Sequence, residues 1–181
     1  MNKRELNLAQ MDRILVLGSG GAGKSTFAKQ LGELLNIKVD HLDQHYWKPG
    51  WVEPSNEEWV AIVAKLIGRE KWIIDGNYGG TLDQRIARCD TLIFLDMPRL
   101  LCLWRIIKRR LTYQNGARPD MAQGCDEKLD LEFVSWVWNY PKHTRPRILR
   151  LMNTNADEKR MVRLRSDSEV RQFLNSLRQT E

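Results

Sequence analysis

Eight consecutive residues, Gly18-Ser19-Gly20-Gly21-Ala22-Gly23-Lys24-Ser25, have the types and spacing that phosphate chemistry needs. The glycines let the main chain fold back so that successive N–H groups point into one concavity, at the positive end of the helix that follows. Such a concavity seats phosphates. Lys24 adds a mobile point charge for the outer phosphates, and the Ser25 hydroxyl is placed to hold a magnesium ion bridging them. The Gly-x4-Gly-Lys-Ser spacing of a Walker A loop is complete, and it lies between the apolar run 13–17 and the amphipathic run Thr26 to Leu35. A bare glycine turn is the alternative, but both flanking elements are present, so the stretch predicts a nucleoside triphosphate site.

Phosphoryl transfer needs a metal, cations against the moving charge, an oriented acceptor and shelter from water. For the metal's second contact, Asp75 and Asp96 are both candidates, because each ends an apolar strand. Asp43, expected at the end of the second strand, is the natural acceptor-binding carboxylate, able to orient or partly deprotonate a hydroxyl. His41, Asp43 and His45 also raise a metal reading, which the lack of a matching Cys or Glu cluster disfavours. Arg105 and Arg109 are four apart and share one side of a helix, beside its apolar stripe. Arg118, Lys142, Arg145 and Arg147 fall where a closing lid could bring cations onto transferring phosphates. Trp47, Trp51, Trp136 and Trp138 read first as packing residues, yet their placement would let them wall an acceptor pocket.

Alternating elements must hold these groups in place. Strands are expected at 13–17, 37–42, 71–75, 91–96 and 159–165. Phe27, Leu31, Leu34 and Leu35 make one apolar stripe on the helix after the loop. Ser55-x-x-Glu58 is a capping box for a helix carrying Trp59, Ile62, Val63 and Leu66. A short helix is expected over 81–88, and Pro98 opens another with Leu100, Leu101, Trp104, Ile107 and Leu111 inward. Residues 112–150 form an irregular lid-type insertion with a Trp-rich helical segment, and Ser166 caps a last helix through Val170, Phe173, Leu174 and Leu177. Five strand–helix alternations imply a three-layer α/β sandwich around a parallel sheet, with ligands at the carboxyl ends of the strands. The glycine loop, Asp43, Asp75 and Asp96 all belong to that edge.

At 181 residues the chain suits one domain spanning 1–181. The 29 basic and 23 acidic residues leave a net charge of +6, which fits phosphate-bearing ligands and leaves nucleic acid open. Cys89, Cys102 and Cys125 show no Cys-x-x-Cys spacing, so neither a disulfide framework nor a zinc knuckle is expected. With no signal-like or membrane-spanning run, the expectation is a cytoplasmic protein. Oligomeric state is left open.

The loop with Lys24-Ser25-Thr26, the segment Ile73-Ile74-Asp75-Gly76-Asn77-Tyr78, and Leu92-Ile93-Phe94-Leu95-Asp96-Met97-Pro98 followed by Arg105, Arg109 and Arg110 resemble the adenylate kinase superfamily of small P-loop kinases. The resemblance runs over about residues 12–178. Within it, Asp75-Gly76-Asn77-Tyr78, the Trp47 to Trp51 segment and Trp136-Val137-Trp138-Asn139-Tyr140-Pro141-Lys142 are similar to adenylate-kinase-like proteins labelled "DNA topology modulation" proteins. The resemblance implies that Arg105 stacks near adenine, that Arg109 touches phosphates, and that Thr26 backs Ser25 at the α-phosphate. It also implies that Asp75 rather than Asp96 supports magnesium through water. Two departures bear on the acceptor. Gly79 stands where the adenylate kinases have an arginine for the acceptor's monophosphate, so Arg85 or a lid arginine would have to replace it. The stretch 39–51 lacks the family's threonine and arginine, and Asp43 is more similar to the acceptor-binding aspartate of shikimate or gluconate kinases. The reading is therefore an ATP- and magnesium-dependent kinase whose acceptor is a small hydroxylated or aromatic molecule or a nucleotide. A slow nucleotide-binding regulator touching DNA or a protein through 142–150 is the alternative, although no helix-turn-helix or zinc-finger pattern accompanies those charges.

Overall fold

A computed structural model describes residues 11–112 and 131–179. The chain runs β1 (Arg13–Gly18), α1 (Lys24–Leu35), β2 (Val39–His41), α2 (Leu42–Tyr46), α3 (Asn56–Ile67), β3 (Trp72–Asp75), α4 (Leu82–Arg88) and β4 (Thr91–Leu95). It continues through α5 (Arg99–Thr112), α6 (Leu131–His143), α7 (Arg145–Thr154), β5 (Arg160–Leu164) and α8 (Asp167–Arg178). All five strands are parallel, in the order β2-β3-β1-β4-β5. The expected three-layer α/β sandwich is therefore the observed one.

Side chains alternate along each strand, so the sheet builds one core on each face. Ile14, Val16, Ile73 and Ile93 face α1, α5 and α8, packing on Phe27, Leu31, Cys102, Ile106 and Leu174. Leu15, Leu17, Trp72, Ile74 and Phe94 face α3, α4 and α7, packing on Trp59, Val63, Ile86, Ile148 and Met152. Each such fully buried side chain stabilises the fold by roughly 1.5–3 kcal/mol relative to an exposed one. The expected caps form: Ser55 Oγ accepts from the Glu58 N–H at 3.1 Å, and Ser166 Oγ from the Glu169 N–H at 3.2 Å.

Three expectations change. The second strand is only Val39–His41, and Asp43 sits in the first turn of the short helix α2 instead of on a strand tip. The stretch 145–154, expected to be irregular, is the helix α7, with Pro146 in its first turn where a proline costs no hydrogen bond. On α5 the inward residues are Cys102 and Ile106, while Leu100, Trp104, Ile107 and Leu111 are exposed. The cause is a close approach: a Cβ on Gly21 would lie 2.3 Å from the Cys102 carbonyl oxygen. A helix seated this tightly on the glycine loop turns a small side chain toward it and leaves the larger apolar stripe outside.

Arg118 and Cys125 lie outside the described residues. Cys89 and Cys102 are buried free thiols. No helix among the described residues is long and apolar enough to cross a membrane.

Candidate functional site

The glycine loop leaves β1 at the centre of the sheet and enters α1 through Gly23, whose φ of 90° is left-handed and suits glycine. The first main-chain bond of α1 runs from the Phe27 N–H to the Gly23 carbonyl at 2.9 Å. The N–H groups before it have no partner within the helix, so the positive end of α1 faces the loop's hollow. A cavity of about 1440 Å³ opens there. Gly20, Gly21, Ala22, Gly23, Lys24, Ser25 and Thr26 line it, as do Asp43, Asp75, Arg105 and Arg109. Gly18 supports the loop from behind: Asn77 Nδ2 donates to its carbonyl at 2.8 Å, and its N–H donates to Asn77 Oδ1 at 3.3 Å. Ser19 is buried.

Lys24 Nζ donates to the Ser19 carbonyl at 3.0 Å, folding the ammonium over the loop. Burial pushes its pKa below the usual lysine value, against the opposing pull of the Asp75 and Asp43 carboxylates. An incoming polyanion would add to the negative charge that holds this ammonium.

Asp75 and Asp96 take different parts. Asp96 is bracketed by two guanidinium groups, with Arg145 Nε at 2.9 Å and Arg163 Nη2 at 2.6 Å, which ties α7 to the edge of β4 and β5. Asp75 Oδ1 accepts from His41 Nδ1 at 2.9 Å, while its buried Oδ2 has no hydrogen-bond partner. A buried carboxylate oxygen left without a donor, in the same cavity as the Ser25 hydroxyl, is the donor set that a hard divalent cation takes. Asp75 and Ser25 therefore fit a magnesium ion.

The acceptor side is built by β2, α2 and the turn after β3. Tyr78 Oη donates to Asp43 Oδ1 at 2.7 Å, fixing the carboxylate, and burial together with that negative neighbour raises the phenol's pKa. Trp47 and Trp51 line the cavity with ring centroids 5.1 Å apart. Trp136 lines it from α6, stacked on Phe133. Trp138 does not: it is exposed, under the Arg99 guanidinium at 4.2 Å. His45 turns away to Asp40 at 3.3 Å, so the two histidines serve different carboxylates. Burial alone would raise the Asp40 carboxyl, but His45 and Arg69 hold it below the usual range.

Arg105 and Arg109 both reach the cavity from α5. Arg105 is gripped by Asp167 at the start of α8, with both carboxylate oxygens 2.7 Å from Nη2. Arg85 is not available to grip a monophosphate. It is fully buried and donates to the carbonyls of Gly76, Asn77 and Tyr78 at 2.8, 2.5 and 2.7 Å. Burial lowers its pKa to about 10. Arg145 is engaged by Asp96, and Arg147 pairs with Asp83 at 3.5 Å beside Gly79.

Asn77, Tyr78 and Asp167 are the contributors that spacing did not single out. The Asp-Gly-Asn turn signal around Asn77 was visible, but its target in β1 is 59 residues away, and Asp167 meets Arg105 across 62.

No protein-family model matches the sequence, and no curated protein matches it. Among solved structures the chain is similar to shikimate kinase from Acinetobacter baumannii in complex with shikimate, with a TM-score of 0.60 and 16% identity over 94% of this chain and 93% of that one. It is also similar to a Chloroflexus aurantiacus protein with a provisional kinase assignment, with a TM-score of 0.51 and 14% identity over 94% of this chain and 98% of that one. At such identities the likeness is one of fold: the chain adopts the five-stranded parallel α/β sandwich of the shikimate kinase structure.

Proposed function

We propose that this protein is an ATP-dependent, magnesium-requiring phosphotransferase of adenylate-kinase-like type, moving the γ-phosphoryl group of ATP to a hydroxyl of a small molecule or nucleotide. One observation carries the reading: the glycine loop with Lys24 and the carboxylates Asp43 and Asp75 open into one cavity. The fold shared with a shikimate kinase supports it.

In this reading the loop N–H groups and the α1 N-terminus hold the β- and γ-phosphates, and Lys24 leaves the Ser19 carbonyl to meet them. Thr26 stands beside Ser25 at the α-phosphate. Arg105, steadied by Asp167, lies along the adenine, and Arg109 offsets phosphate charge. Ser25 directly and Asp75 through water would hold magnesium, which when bound neutralises charge on the phosphate oxygens. Asp43 accepts or orients the attacking hydroxyl, held in place by Tyr78. The aromatic walls keep water from competing with the acceptor.

A radiolabelled-ATP screen against nucleoside monophosphates and hydroxylated metabolites, with a no-acceptor control, tests the proposal. Acceptor-dependent label transfer that disappears in Lys24→Ala is expected. Unchanged transfer in that variant would overturn the mechanism.

A further inference from the structure

The lysines and arginines that line the cavity lie on one side of it, where Asp167 also lines it, paired with Arg105. Lys24 and Lys29 come from α1, and Arg105 and Arg109 from α5. On the β2 and β3 side the lining groups are instead the carboxylates Asp43, Glu53 and Asp75 and the rings of Trp47, Trp51 and Tyr78. Among the described residues, no lysine or arginine lines that side. Its one titratable base, His41, is hydrogen-bonded to Asp75. Arg85 is sealed beneath the turn, donating to the carbonyls of Gly76, Asn77 and Tyr78.

A phosphate or carboxylate held on that side would thus meet like charge and, among the described residues that line it, no lysine or arginine, a juxtaposition that lowers affinity by more than about a hundredfold. An ammonium group meets the opposite conditions. Trp47 and Trp51 form a corner, with centroids 5.1 Å apart and planes at 66°, whose π faces attract a cation. Glu53, two residues after Trp51, lines the same cavity.

We infer that the acceptor is a hydroxylated compound bearing an ammonium group, an amino alcohol or amino sugar, and that Trp47, Trp51 and Glu53 select it. The inference rests on the phosphotransferase reading and narrows its acceptor. In the step, the acceptor's hydroxyl oxygen forms a bond to the γ-phosphorus as the bond from that phosphorus to the β,γ-bridging oxygen breaks. The electron pair stays on ADP, and the hydroxyl proton passes to the Asp43 carboxylate. The products are ADP and the phosphate ester of the amine-bearing acceptor.

The test uses the full chain with MgATP and matched probes: glucosamine, glucose and glucuronate on one scaffold, pyridoxamine and pyridoxine on another, and AMP. Calorimetry with MgADP present measures binding, and label transfer measures kcat/KM. The ammonium-bearing probes are expected to exceed their neutral partners by about tenfold or more. Glu53→Gln and Trp47→Ala should each reduce that preference to about threefold or less, with KM for ATP unchanged. Equal or better use of glucuronate or AMP would overturn the inference. So would MgATP binding with no preference for any ammonium-bearing probe, in which case the phosphotransferase reading survives. Failure to bind MgATP at all would instead remove that underlying reading.

Discussion

Asn77 and Gly18 are joined by two hydrogen bonds, one in each direction, which fasten the turn after β3 to the point where β1 releases the glycine loop. Asn77→Ala leaves a main-chain donor and acceptor half-buried without partners, at a cost of about 1–3 kcal/mol. Urea unfolding should show a lower midpoint with an unchanged slope. Asn77→Asp keeps the acceptor but turns a carboxylate oxygen toward the Gly18 carbonyl, so it should be no milder than alanine.

Lys24 carries its own pH signature. Burial lowers its pKa from 10.5, so the nucleotide-free protein loses this proton earlier than an ordinary lysine does as pH rises. Affinity for MgATP should therefore fall on the alkaline side below pH 10.5, and binding near that lowered pKa should take up protons. Stability has the opposite sign: between the lowered pKa and 10.5 the unfolded chain binds more protons, so the nucleotide-free protein gains stability with rising pH. Lys24→Met should flatten both trends relative to wild type, as read by calorimetry in two buffers of different ionisation heat.

Asp43 is fixed by Tyr78 at 2.7 Å, and the two variants separate orientation from proton acceptance. Asp43→Asn should lower kcat by about 10²–10⁴ while leaving ATP affinity within about twofold. Tyr78→Phe keeps the carboxylate and loses only its tether, so its kcat should fall by about tenfold or less. An equal loss in both would place the effect in the fold of the turn.

Asp167 holds Arg105 by two contacts of 2.7 Å, with the carboxylate about half exposed. Solvent screening keeps such a pair weak, at about 1 kcal/mol or less. Asp167→Asn should therefore raise KM for ATP by about fivefold at most and leave kcat alone. Arg105→Ala, which removes the group itself, should exceed it, and steady-state kinetics against ATP measures both.

Arg85 supports the turn that carries Asn77 and Tyr78. Arg85→Met removes the donor from the carbonyl oxygens of Gly76, Asn77, Tyr78 and, at 3.4 Å, Thr81, at about 1–3 kcal/mol for each one left dry. A loss of this size should lower Tm by more than about 10 °C and leave inclusion-prone protein. Arg85→Lys, which can reach fewer of the carbonyls, should fall between the two.

Local pattern carried most of the architecture. The strand cores, the Ser55 and Ser166 caps and the loop between β1 and α1 depend on neighbours in sequence, and these were legible. The face of α5 was not, because two apolar stripes competed and the choice was made by contact with Gly21, some eighty positions earlier in the chain. The same holds for the site. Lys24, Ser25, Asp43, Arg105 and Arg109 announced themselves by type and position, Asp75 was set above Asp96 by the family resemblance, and all six line one cavity. Asp167 and Asn77 did not, since nothing local shows that one will meet Arg105 and the other Gly18. Arg85 was legible only as a loose charge, and its burial under the turn follows from tertiary packing.

Trp47, Trp51 and Trp136 stand at the wall of the hollow, half-covered, whereas Trp72 is sealed in the core against α3, α4 and α7. The molecule thus contains both an optical gauge and its reference. Indole emission from the three wall residues should shift or dim when a guest displaces the solvent around them, while the sealed indole keeps its colour. Occupancy of the acceptor side can then be followed in real time without attaching a dye.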